Sequence, residues 1–74
     1  MTQHTIEMID LRLDERPHRV PAGTTLAALV QQLGHEPPAV GTALNGSFVP
    51  RGERTQRVLC AGDAVLLFQP IVGG

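Results

Sequence analysis

The chain has 74 residues, 42% of them hydrophobic and 18% charged, which is material for one small domain with a thin core. That size argues against an enzyme with its own enclosed substrate cavity, and a formal charge of −1 gives no electrostatic case for nucleic acid or an anionic membrane. All 6 cations are arginines, which removes the Schiff-base amine and the acceptor for isopeptide chains, and the single cysteine excludes an internal disulfide.

The first element is Ile9-Asp10-Leu11-Arg12-Leu13, whose strict alternation puts Ile9, Leu11 and Leu13 on one face of a strand. Ile6 and Met8 have the opposite phase, so residues 1–8 read as an extension or as a strand start beyond a bulge. Asp14-Glu15-Arg16 is a tight connection, and residues 17–20 return as an edge strand that tolerates Pro17 at its start. Pro21-Ala22-Gly23 then breaks the sheet. Thr25 is the expected N-cap of a helix whose stripe is Leu26, Leu29, Val30 and Leu33, with Gly34 as its stop and Pro37-Pro38 forbidding continuation. A helix of about two turns does not hold alone in water, so its stripe must lie on the sheet.

Asn45-Gly46 is the strongest hairpin signal in the chain. It sets Leu44 opposite Ser47, Ala43 opposite Phe48 and Thr42 opposite Val49, with Phe48 pointing away from Leu44 and Val49. Residues 51–57 are expected to form a polar surface loop with Leu59 as a core anchor beneath it. Ala61-Gly62-Asp63 turns into a last strand over 64–69. The order β-β-α-β-β-β implies an α+β roll of the ubiquitin-like (β-grasp) kind, a mixed sheet with one main helix on one face. From that fold type, and not from periodicity, the first and last strands are expected to lie side by side and parallel. The expectation for domains is a single one over 1–74, ending in a flexible segment from about residue 70.

Few residues carry chemistry of their own. His4, His18 and His35 have neither each other nor cysteine at ligand spacing, so no metal site is expected, and no catalytic triad is suggested. Cys60 reads as a small semi-buried structural side chain, and Arg51, Arg54 and Arg57 as a solvated basic loop that could also meet an acidic partner surface. The last strand is different, because Val65-Leu66-Leu67-Phe68 presents large apolar groups to both faces while one helix covers only one. With Val65 and Leu67 in the core, Leu66 and Phe68 are exposed beside Phe48 as a partner-binding patch; the alternative is that the N-terminal extension folds over them. Beyond the strand stand Gly73-Gly74, two residues without a Cβ at the end of a five-residue arm that reaches about 17 Å when extended. A terminal carboxylate is a poor electrophile and needs activation by another enzyme.

With these residues in view, the sequence from about residue 9 to 74 resembles the ThiS family, the sulfur carriers of thiamine biosynthesis. The resemblance rests on Pro21-Ala22-Gly23-x-Thr25, Asn45-Gly46-x-x-Val49-Pro50-Arg51, Leu59-x-x-Gly62-Asp63 and Leu67-Phe68-Gln69-x-Ile71-x-Gly73-Gly74. Residues 1–8 extend beyond the family pattern, and Arg54 stands where an aromatic residue is common. The resemblance implies a protein co-substrate, not an enzyme. A ThiF-type adenylating enzyme, using ATP and Mg²⁺ that this chain does not itself bind, would convert the Gly74 carboxylate to an acyl adenylate. Sulfur from a cysteine-desulfurase persulfide would then replace AMP, and thiazole synthase would receive it. Gly74 is the modified residue, Gly73 gives access, and Phe48, Leu66, Phe68, Ile71 and Val72 are the expected partner contacts. Two alternatives share the roll and the Gly-Gly end: the small subunit of molybdopterin synthase, and a ubiquitin-like modifier. The Val49-Pro50-Arg51 motif and the short chain favour ThiS. With one cysteine, no bilayer-length apolar run and no signal-peptide pattern in residues 1–10, the expected location is the cytoplasm, with no nucleic acid or membrane partner.

Overall fold

Alternation in the first segment becomes strand β1 (Met8–Leu13) in a computed structural model that describes residues 7–69. Leu11 is buried, Ile9 and Leu13 are half-buried, and Asp10 and Arg12 face solvent. The turn at Asp14-Glu15 has both central residues at positive φ, 51° and 68°, the hand that matches the twist of a hairpin. It returns the chain as edge strand β2 (Arg16–Pro21), antiparallel to β1 with Ile9 opposite Val20. The strand is one residue longer at each end than the sequence reading, and both its prolines are tolerated because it lies at the sheet edge.

Helix α1 (Leu26–Gln32) starts where the Thr25 hydroxyl accepts the Ala28 N–H at 3.1 Å, satisfying a first-turn donor that lacks a helical partner. It ends at Leu33, followed by Gly34 at φ 83°. Leu26, Leu29 and Val30 are buried. A short 3-10 turn, Pro37–Ala39, which the sequence reading did not anticipate, leads into β3 (Gly41–Leu44). The Asn45-Gly46 turn then gives β4 (Ser47–Val49) in the expected register: Thr42 opposite Val49, Ala43 opposite Phe48, Leu44 opposite Ser47. Residues Arg51–Gln56 are not an open loop but a 3-10 helix, and the chain finishes its sheet with β5 (Ala64–Phe68).

The five strands order β2-β1-β5-β3-β4. β5 runs parallel to β1, pairing Arg12 with Ala64 and Leu13 with Val65, and antiparallel to β3 from Leu44–Val65 to Gly41–Phe68. This is the ubiquitin-like β-grasp arrangement inferred from element order. Its core joins Leu11, Val20, Val49 and Val65 of the sheet to Leu26 and Leu29 of α1 and to Leu59, the anchor expected under the preceding segment. Each such side chain contributes about 1.5–3 kcal/mol on burial, which supplies what a seven-residue helix lacks alone.

Candidate partner-binding face and the end of β5

Because β5 alternates, Val65 is buried and Leu67 half-buried on the helix side, while Leu66 and Phe68 stand on the opposite face at 46% and 43% exposure. Phe48 joins them at 64% exposure. The register places Leu66, Ala43 and Phe48 in one row across β5, β3 and β4, with Phe68 opposite Gly41 in a neighbouring row. The two phenylalanine rings lie 6.3 Å apart at a tilt of 42°. Across β1 and β2 the same face turns polar apart from exposed Met8 at the outer start of β1, with Asp10 and Arg19 paired at 3.0 Å and Arg12 exposed. The apolar patch is therefore confined to the side of the sheet formed by β5, β3 and β4.

Gly41 explains how Phe68 is seated. A methyl group built on Gly41 would lie 2.6 Å from Cζ and 2.8 Å from Cδ2 of Phe68, and closer still to Cε2. The ring thus occupies the space a side chain would need, an aromatic covering a glycine on the neighbouring strand. A glycine opening a short strand gives no sequence pattern, and sequence reasoning passed over it. A cleft of about 240 Å³ borders this contact, lined by Phe48, Phe68, Gly41, Val40, Pro37 and both Arg51 and Arg54.

Arg54 corrects the sequence reading most sharply. It is not part of a solvated basic loop: only 4% of it is exposed. Its Nε donates to the Thr42 hydroxyl at 3.0 Å, Nη1 to the Pro37 carbonyl at 3.0 Å, and Nη2 to the Val40 carbonyl. Thr42 in turn donates to the Val49 carbonyl at 2.9 Å. Burial, and secondarily the charge of Arg51, push the pKa of the Arg54 guanidinium below its ordinary value. Arg57 does keep the expected surface role, donating to Glu53 at 3.3 Å.

At the other flank of β5, β1 ceases to pair after Leu13. The Asp14 N–H donates to the Val65 carbonyl at 2.9 Å, and the Asp14 carboxylate accepts the Leu67 N–H at 3.0 Å. A side chain thus serves as the acceptor that a longer β1 would have provided. The two turn motifs quoted above meet one another: Asn45 Nδ2 donates to Asp63 Oδ1 at 3.0 Å, Asn45 Oδ1 accepts the Ala64 N–H at 2.9 Å, and Asp63 Oδ2 accepts the Cys60 N–H at 2.8 Å. Gly62, at φ 88°, makes the turn possible. Cys60 itself is exposed, not semi-buried as expected, because the turn directs it away from the core. Among the described residues no three His, Cys, Asp or Glu side chains gather as a metal site, and no helix is long and apolar enough to cross a membrane. The sequence-predicted Ile71, Val72, Gly73 and Gly74, and residues 1–6 of the N-terminal extension, lie outside the described residues.

The family model of the ThiS family matches residues 6–74. The sulfur carrier protein ThiS of Escherichia coli (strain K12) is 40% identical over 53 residues, covering 72% of this chain and 80% of that protein. The crystal structure of the thiamine biosynthesis protein ThiS from Geobacter metallireducens superposes with a TM-score of 0.75 at 24% identity, over 89% of this chain and all of the other. SAMP1 from Haloferax volcanii superposes with a TM-score of 0.54 at 19% identity, over 92% of this chain. At those identities the two structures show the shared fold alone, whereas the sequence matches carry further: the chain belongs to the ThiS family.

Proposed function

We propose that this protein is a sulfur carrier that works as a co-substrate, holding sulfur as a thiocarboxylate on Gly74. The observation that carries the reading is the family match over residues 6–74, which takes in Gly73-Gly74. A ThiF-type enzyme supplies ATP and Mg²⁺; the Gly74 carboxylate attacks the α-phosphate, pyrophosphate leaves, and the acyl adenylate gains the leaving group that a bare carboxylate lacks. The terminal sulfur of a persulfide made by a cysteine desulfurase displaces AMP. A thiol then cleaves the resulting acyl disulfide, becoming a mixed disulfide and leaving the thiocarboxylate. Thiazole synthase is the acceptor, taking sulfur from a soft nucleophile that stays attached to a recognisable domain.

This chain contributes recognition. Phe48 on β4 and Leu66 and Phe68 on β5, the strand that leads toward Gly74, offer a solvated apolar patch for the partner, and Ile71 and Val72 are further contacts in this reading. An apolar side chain buried in an interface contributes about 1.5–3 kcal/mol, so three suffice for a complex that must also dissociate. The reaction is placed in the cytoplasm, where thiols remain reduced.

The test is to delete Gly74, or to append residues after it, and to look for the thiocarboxylate by intact-protein mass spectrometry after incubation with the activating enzyme, ATP and a persulfide donor. Loading is expected to vanish while the circular dichroism spectrum stays that of the parent. A tagged chain that still accumulates thiocarboxylate at its unprocessed new end would overturn the assignment of Gly74.

A further inference from the structure

Arg54 presents an energetic puzzle. A guanidinium loses favourable hydration on burial, and among the described residues no carboxylate lies within ion-pair distance of it. Its acceptors are neutral oxygens of Pro37, Val40 and Thr42. An apolar side chain of similar volume often serves stability equally well at such a place. The arginine supplies direction instead. Two of its three acceptors belong to Val40 and Thr42, the residues on either side of Gly41, and the third lies at the start of the turn that leads into β3. Gly41 is where the Phe68 ring sits.

We infer that Arg54 is a positioning residue: its planar fork fixes β3 on both sides of Gly41, and so holds the seat that orients Phe68 at the end of β5. The inference rests on the docking role proposed for Phe68, but its structural half can be read without that role. Three oxygens spread around one guanidinium hold a backbone in a single place, which a flexible apolar chain of equal bulk does not do. The neighbouring cleft, lined by Arg54, Gly41 and Phe68 together, leaves the ring room to shift once the seat loosens.

The variants are Arg54→Met, Arg54→Lys and Gly41→Ala in the full chain. In the parent, nuclear Overhauser contacts should connect the Gly41 Hα protons with the Phe68 ring, whose ring current displaces their shifts. Arg54→Met should keep a cooperative melt yet weaken those contacts and move the Gly41 shifts toward their random-coil values. Arg54→Lys should do the same, since one ammonium cannot span three separated oxygens. For activation by the ThiF-type enzyme, KM for the carrier should rise about tenfold with kcat little changed, because recognition is lost and the reacting carboxylate is untouched. Gly41→Ala should reproduce that KM effect by pushing the ring off from beneath. In a Phe68→Ala background, Arg54→Met should add nothing further. An unaltered Gly41–Phe68 contact in folded Arg54→Met and Arg54→Lys would overturn the inference, as would fully additive KM effects of Arg54→Met and Phe68→Ala. Loss of the contact with KM unchanged in every variant would uphold the positioning and refute the docking role of Phe68.

Discussion

Serine placed at Val65 or at Leu66 tests the division of the sheet into two faces with the smallest change of position. Val65 is 1% exposed and Leu66 46%. Val65→Ser forfeits the burial of a core side chain, about 1.5–3 kcal/mol, and leaves a hydroxyl to be desolvated or repaired at about 1–3 kcal/mol more. A chain of 74 residues has about 4–11 kcal/mol of stability in all, so a combined loss of roughly 2.5–6 kcal/mol removes a large part of it. Leu66→Ser loses only the half of its surface that is covered and lets the hydroxyl hydrate, a cost of about 1 kcal/mol, or about 4–8 °C in Tm for a domain of this size. Thermal melts followed by circular dichroism read both stability losses, and titration calorimetry against the activating enzyme reads partner affinity. Val65→Ser should lose several times the stability that Leu66→Ser loses; Leu66→Ser should fold yet bind about tenfold more weakly, which corresponds to about 1.4 kcal/mol. Equal losses of stability would mean that β5 does not divide its neighbours between core and solvent as described, and a larger loss at Leu66 that it presents its faces the other way round.

The next pair along the strand follows the same logic with a smaller contrast: Phe68→Ser should weaken partner binding more than it lowers Tm, and Leu67→Ser, whose half-buried side chain packs against the core, should do the reverse. Thr25→Ala removes the oxygen that caps α1 and should cost about 1 kcal/mol in a chemical denaturation curve, with the helix still present in the folded protein. Cys60→Ser, at an exposed site, should leave both the melt and the loading of sulfur on Gly74 unchanged; loss of loading by a folded variant would show that sulfur travels through this chain's own thiol.

What could be read from the sequence was what short-range geometry dictates. Asn45-Gly46 specified the register of β3 on β4 because few residue pairs accept two successive positive φ angles. The alternation of Val65-Leu66-Leu67-Phe68 specified which side chains face out, since a strand has no other way to dispose of four apolar neighbours. Arg54 was illegible for the opposite reason. Its composition speaks for solvent, and the oxygens that house it come from Pro37, Val40 and Thr42, twelve to seventeen positions away and assembled only by the tertiary fold. Gly41 was missed because its function is an absence of side chain opposite a ring on another strand. The two 3-10 segments escaped because pieces so short have no apolar period to betray them.

Asp14 has a mechanical consequence. A strand in the middle of a sheet is ordinarily clamped along both edges, and drawing out its end means breaking two ladders together. Here the ladder between β1 and β5 stops at Leu13–Val65, while that between β3 and β5 continues to Gly41–Phe68. Past that stop, the flank toward β1 is held by one carboxylate bond at Leu67. An enzyme that grips the residues following Gln69 therefore pulls against a single ladder and one side chain. The load falls first on the β3 side in shear, and the hairpin of β1 and β2 shares it only through Asp14 until the pull reaches Val65.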